Sequence, residues 1–275
     1  MFATFRRIAA TLLAAAALAT SFGATAATQF SPDYTDAWQV PGEAGYGVFI
    51  NQQGSTMFVA LFVYGGDTLP RWYFGSSVVG SSQTSFTGTL YRTTGTAFNA
   101  PWVPSALQVF PVGNVTLTFA SPTQGSITYT VDTITVTKSL VRNALPRNNL
   151  AGRFAGTISA RTSGCTVASN TPPLVLIGEV INITDDGVTN PRVLVDFTAN
   201  NGSVVSCAFN GTYTANGRMG NIDNGTWTCT NAANAGTFSI SELQVNQSGV
   251  SGKITMRDQF CQSYTGFIGG VRAAQ

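Results

Sequence analysis

Residues 41–47 read PGEAGYG and set one carboxylate, Glu43, between Trp38 and Tyr46; PRWYF follows at 70–74. A carboxylate among aromatic rings suits two kinds of chemistry. With a second carboxylate at a suitable distance it can act on a glycosidic linkage. Alone, it can hydrogen-bond a sugar whose apolar face rests on the rings. The chain holds 12 acidic residues, and none stands in a spacing or context that matches an acid to a base. Glu43 also has a purely structural reading. Pro41-Gly42 marks a turn, Gly45 and Gly47 permit close backbone approach, and the carboxylate can cap free amides at a strand entrance. Trp38, Glu43, Tyr46, Trp72, Tyr73 and Trp102 are therefore the candidate ligand contacts, and no residue is singled out for catalysis. Within PRWYF, alternation turns Trp72 and Phe74 one way and Arg71, Tyr73 and Gly75 the other, with core packing the simpler role for Trp72.

Other chemistries fall away on composition. The chain has no histidine, which removes Ser-His-Asp and Cys-His nucleophiles and histidine-bound zinc or iron. Its four cysteines, Cys165, Cys207, Cys229 and Cys261, all lie in the second half; the closest two are 22 positions apart, unlike the close pairs of zinc sites. Two disulfides are the expectation, with Cys207–Cys229 and Cys165–Cys261 the preferred pairing. No metal and no cofactor is expected. In INITDDGVTNP, residues 181–191, Asp185, Asp186 and Asn190 lack the alternating ligand spacing of a calcium loop, and Asp-Gly between two apolar runs reads first as a hairpin turn.

The elements that carry these residues are strands. Runs rich in Val, Ile, Thr, Phe and Tyr alternate with Gly, Asn, Asp and Pro clusters, the pattern of an antiparallel all-β protein. The first half predicts strands at 46–52, 55–64, 70–79, 84–93, 107–120, 124–132 and 133–141. Short connections favour a meander, closing as a barrel or folding as a sandwich. In STMFVALFVYGG both faces are apolar, so this strand is expected to be central or covered by a second layer or a partner. The run VRNALPRNN breaks the pattern. It divides an N-terminal domain, 28–145, from a disulfide-stapled one, 150–275, which restarts at GRFAGTISA and carries eight strand-like segments.

Ahead of both domains, Arg6-Arg7, an apolar run from Ile8 to Leu18 and a small-residue exit at Ala24-Thr25-Ala26 have the order of a secretory signal peptide, residues 1–27. Without Arg6 and Arg7 the 14 basic residues become 12, equal to the 12 acidic ones. A neutral chain with no Lys/Arg cluster disfavours nucleic acid. Charged residues are only 9 % of the chain, and the remaining polar surface is hydroxyl and amide, as suits an exported β protein in periplasm or medium. An integral outer-membrane barrel fits less well, because strands of the required length flanked by aromatic girdles do not recur.

The order W-x-x-PGE-x-G-x-G, a QG turn, FVALFVYGGDTLPRWYF, FTGTLYRTTG, VGNVTLTF and ITYTVD resembles a β-rich module of exported Gram-negative proteins with no assigned activity, over about residues 36–142. GGDTLP departs from that pattern, in which an acidic residue precedes a glycine. The second half, with GTYTANG, GTFSISELQV and YTGFIGGVR, looks like a partner domain of similar proteins. The resemblance implies compartment and fold. The residues themselves point to a non-enzymatic binding or structural protein that contacts envelope or extracellular glycan or an envelope protein. The alternatives are a protein-interaction or inhibitor module and a carboxylate-dependent glycoside hydrolase.

Overall fold

Strict alternation of side chains in an extended backbone gives each strand of this chain an inner and an outer face, and two sheets close on those inner faces. The computed structural model describes residues 32–143, 147, 149–166, 175–188, 190–198, 202–230 and 235–274. The predicted signal peptide and part of the predicted domain boundary lie outside the described residues.

The first sheet runs β1 (Asp36–Gln39), β2 (Gly47–Gln53), β3 (Thr56–Tyr64), β4 (Pro70–Gly80), β5 (Ser85–Thr94), β6 (Gln108–Ser121), β7 (Gln124–Val131) and β8 (Ile134–Arg142). Each strand pairs antiparallel with the next, and β1 returns to β8, making a closed eight-stranded meander. The closing seam is narrow, with Trp38 opposite Arg142 and Gln39 opposite Val141. Val48, Ile50, Met57, Val59, Leu61, Leu90, Leu117 and Ile127 fill the interior. Outside, β5 to β8 carry hydroxyls: Thr87, Thr116, Thr128 and Thr137 lie in one cross-strand row. On these strands an apolar interior lies behind a hydroxyl outer face, whereas a membrane-spanning barrel is apolar outside and polar within.

The second sheet comprises β9 (Gly152–Cys165), β10 (Val175–Ile177), β11 (Val180–Thr184), β12 (Arg192–Thr198), β13 (Val204–Asn216), β14 (Met219–Cys229), β15 (Ala235–Val245), β16 (Gly249–Asp258) and β17 (Cys261–Arg272). It closes where β17 pairs with β9, from Arg272 opposite Phe154 to Cys261 opposite Cys165, giving eight strands in the ring with β10 added alongside β9. The disulfides join residues directly opposite one another, Cys207–Cys229 across β13 and β14 and Cys165–Cys261 across the closing seam. Two such bonds suit an oxidising, non-cytoplasmic environment.

The architecture is thus all-β and antiparallel as expected, and barrel rather than sandwich. Two details differ from the sequence reading. β1 is an additional strand, only four residues long, too short for alternation to announce it. LVLIGEVINI divides into β10 and β11 around Gly178, whose φ of +113° breaks the strand without changing its register on β9.

The hairpin between β13 and β14 reaches the first barrel at its seam. The Arg218 backbone N–H donates to Asp36 Oδ2 at 3.0 Å, its Nε donates to the Thr35 carbonyl at 3.1 Å, and its Nη2 pairs with the Asp33 carboxylate. Arg142 is buried beside them. Its Nη2 donates to the Asp33 carbonyl at 2.7 Å, its Nη1 meets the Met219 sulfur at 3.5 Å, and its guanidinium lies 5.3 Å from the Trp38 ring centre. Burial pulls the Arg142 guanidinium below its ordinary pKa while the nearby Asp36 carboxylate pushes it back up. Gly217 turns the hairpin at φ +63°, and a side chain there would run into the Asp36 carboxylate.

Candidate functional site

The β1–β2 connection, residues 40–46, is built by its own turn chemistry. Glu43 N–H donates to the Val40 carbonyl at 3.1 Å and Tyr46 N–H to the Glu43 carbonyl at 3.2 Å. Gly42 and Gly45 adopt φ of +80° and +85°, and the Tyr64 side chain lies over Gly45 where a Cβ would stand. Glycine is therefore required at 45 on two counts. Below this connection, on the outer wall, lies a groove of about 550 Å³ lined by Ala37, Gln39, Glu43, Phe49, Phe62 and Asn143, among others.

From the groove an aromatic wall extends across β2 to β5. Phe49 is opposite Ala60, Ala60 opposite Phe74, and Phe74 opposite Tyr91, while Phe62 is opposite Trp72. Centroids are 6.2 Å apart for Phe58 and Phe74, 5.9 Å for Trp72 and Phe74, and 5.6 Å for Phe74 and Tyr91. Ala60, buried, stands between Phe49 and Phe74 in this row. Trp72 is 52 % exposed, and Phe49, Phe58 and Phe62 are each more than 40 % exposed. No second layer covers this face among the described residues, so the two-sided apolar pattern of TMFVALFVY records a core face and an uncovered outer face.

The sequence candidates divide accordingly. Trp38, Glu43 and Tyr46 all meet at the groove. The Trp38 indole belongs to the interior, 2 % exposed, with Nε1 donating to the Tyr34 carbonyl at 2.9 Å. Tyr46 leans inward, its hydroxyl buried beside Tyr129 without a partner in hydrogen-bonding geometry. Burial pushes that phenol above its ordinary pKa, and the neighbouring Tyr129 hydroxyl and Glu43 raise it further. Glu43 is exposed and held by Lys138 Nζ at 2.6 Å. Trp72 stands on the aromatic wall and not in the core; Tyr73 takes the inward place, opposite buried Leu61 and packed against the core. Trp102 lies apart, on the β5–β6 excursion. Phe49, Phe58, Phe62, Phe74 and Tyr91 were missed as candidates, although the outer face of β3 was visible in the alternation.

The acidic loop after β11 is occupied by its own chain. Asp185 accepts the Leu150 N–H at 2.6 Å and the Gly187 N–H at 3.1 Å and pairs with Arg147, while Asn190 Oδ1 accepts the Tyr213 N–H at 2.8 Å. These oxygens close a hairpin and fasten the segment that leads into β9.

The groove and wall together offer flat apolar rings beside amide and carboxylate groups. That combination binds rings with one apolar face and an equatorial fringe of hydroxyls. Among the described residues lining the groove Glu43 is the sole carboxylate, so the pair that glycoside hydrolysis requires is not assembled there. Comparison with protein-family models, with curated proteins and with solved structures found no match.

Proposed function

We propose that this is an exported, non-enzymatic binding protein whose first barrel takes an envelope or extracellular glycan. The carrying observation is the run of rings Phe49, Phe62, Trp72 and Phe74 on an uncovered barrel wall, ending in the polar-edged groove beside Glu43. Sugars stack their apolar faces on the wall, and Gln39, Asn143 and Glu43 accept or donate at the groove. The Lys138 contact orients Glu43 as an acceptor, a role in recognition that requires no proton transfer.

Tryptophan fluorescence tests this reading, because Trp38 and Trp227 are buried and, of the two exposed tryptophans, Trp72 stands on the wall while Trp102 lies apart from it, so that Trp72→Ala isolates the wall's contribution. Titration with peptidoglycan fragments, lipopolysaccharide-derived oligosaccharides and common polysaccharides is expected to give a saturable shift with one class, lost in Trp72→Ala and weakened in Glu43→Gln. A flat response to all of them, with a stable protein partner co-purifying instead, replaces the glycan by that protein. Turnover of any oligosaccharide that vanishes in Glu43→Gln overturns the non-enzymatic assignment.

A further inference from the structure

The two barrels close differently. The second has a long seam, with β17 paired to β9 from Cys261 to Arg272. In the first, β8 pairs with β7 at eight positions, from Ile134 to Val141, yet meets β1 at only two, Val141 with Gln39 and Arg142 with Trp38. Pro41 explains the stop. The Arg142 N–H donates to the Thr123 carbonyl on the β7 side at 3.0 Å, and the Asn143 N–H donates to the Ala37 carbonyl on the β1 side at 2.8 Å. Odd-numbered residues of β8 therefore offer their backbone groups to the seam. Continuing the register sets Pro41 opposite Ser139, and proline has no N–H to give the Ser139 carbonyl. Gly42 then turns the chain at φ +80°.

Beyond that point Thr135, Thr137 and Ser139 carry three N–H and three C=O groups along one edge of β8, repeating about every 7 Å. Among the described residues no strand or turn is bonded to them on that side. All three residues are exposed. Unlike an apolar surface, such a row is directional. Alternating donors and acceptors at strand spacing are complementary to another extended backbone.

We propose that the backbone that fits is β8 of a second copy of this chain, paired antiparallel about a two-fold axis at Thr137. In that register Thr137 exchanges both backbone bonds with the partner's Thr137, and Thr135 exchanges both with the partner's Ser139. All six open groups on each edge are satisfied, and the contact closes at two copies. The side chains agree with this pairing. On the outer face hydroxyl meets hydroxyl, as Thr128 with Thr137 and Thr130 with Thr135 already do between β7 and β8, each at 2.9 Å. Lys138 shares the inward parity of Val136 and Leu140, and it falls opposite the partner's Val136 and not opposite another lysine. An inward lysine on an edge strand ordinarily repels a second edge. Here Glu43, 2.6 Å from its Nζ, offsets that charge within each copy. The pairing does not depend on the glycan reading.

The test is sedimentation velocity of the purified full chain from nanomolar to submillimolar concentration. The expected result is a reversible equilibrium of monomer and dimer with nothing larger. Thr137→Pro removes an N–H that faces the seam and spares the β7 ladder, so it is expected to weaken the dimer by at least about tenfold while the far-UV circular dichroism stays that of the parent. Should the proline disturb folding, side-chain charge gives an independent reading. Thr135→Lys with Ser139→Lys sets lysine opposite lysine, Thr135→Glu with Ser139→Glu sets carboxylate opposite carboxylate, and each double variant is expected to be monomeric. An equimolar mixture of the two is expected to form a heterodimer that high salt weakens. The proposal is overturned by a monomer at every concentration, by a dimer that persists in folded Thr137→Pro or in either charged variant, by charged variants that stay apart when mixed, or by a foreign polypeptide that co-purifies and is lost in Thr137→Pro.

Discussion

Trp38 donates its indole N–H to the Tyr34 carbonyl from inside the first barrel, whereas Trp72 leaves half of its surface in solvent on the outside. Replacement by alanine should therefore separate stability from binding. Trp38→Ala is expected to lower unfolding free energy by about 3–5 kcal/mol, read from a denaturant midpoint, while Trp72→Ala changes it by about 0.5 kcal/mol or less and removes the ligand response. Sequence alternation assigned Trp72 and Tyr73 to opposite sides correctly. It favoured the core for Trp72, and the structure reverses this, with Tyr73 inside and Trp72 outside, because β3 beside them is apolar on both faces and the period alone does not tell inner from outer. A second residue-level prediction concerns Asp33. Burial pushes its carboxyl up, but hydrogen bonds from Thr35 and Arg218 outweigh that and hold it below the ordinary value of 3.8. A depressed folded-state pKa stabilises the fold above the unfolded value, and the contribution disappears as pH falls through the folded one. Asp33→Asn should thus melt lower than the parent at neutral pH, and the two melting temperatures should converge as the pH drops below about 3.8.

At the level of the elements, the long strands were legible from their β-rich composition between turn clusters and, outside β3, from a two-residue period; VTLTFA and SITYTVD show it most plainly. β1 was not, since DAWQ is four residues and its role is fixed by what it joins. The groove was half legible: PGEAGYG marked the connection that roofs it, but Phe49 and Phe62 line it only because β2 and β3 are in register, which a single sequence does not display. The disulfides belong wholly to the second barrel and close loops of very different size, with sequence separations of 22 and 96. On chain-entropy grounds the smaller loop contributes about 3 kcal/mol and the larger about 5 kcal/mol. Cys165→Ala with Cys261→Ala is therefore expected to lower stability more than Cys207→Ala with Cys229→Ala, as calorimetry of the two double variants would show.

On the scale of the whole molecule, the contact between barrels is a hairpin tip set across a seam. Asp36 lies on β1 and Arg142 on β8, the two strands that close the first barrel, and Gly217, Arg218 and Met219 touch both. Gly217→Val places a branched side chain at a positive φ and against the Asp36 carboxylate, and is expected to cost about 2 kcal/mol or more. Arg218→Ala should increase hydrogen exchange of the β1 and β8 amides specifically, leaving β5 and β6 protected. The position of that bolt also sets an order of events during synthesis. The amino-terminal half is made first, yet the residues that fasten its last seam come from the middle of the carboxy-terminal half. Until those arrive, β1 is held by few partners, and its departure would bare the edges of β2 and β8 to other nascent chains. The later half thus completes the earlier one, and a chain cut short before Gly217 is expected to aggregate through the loosened seam.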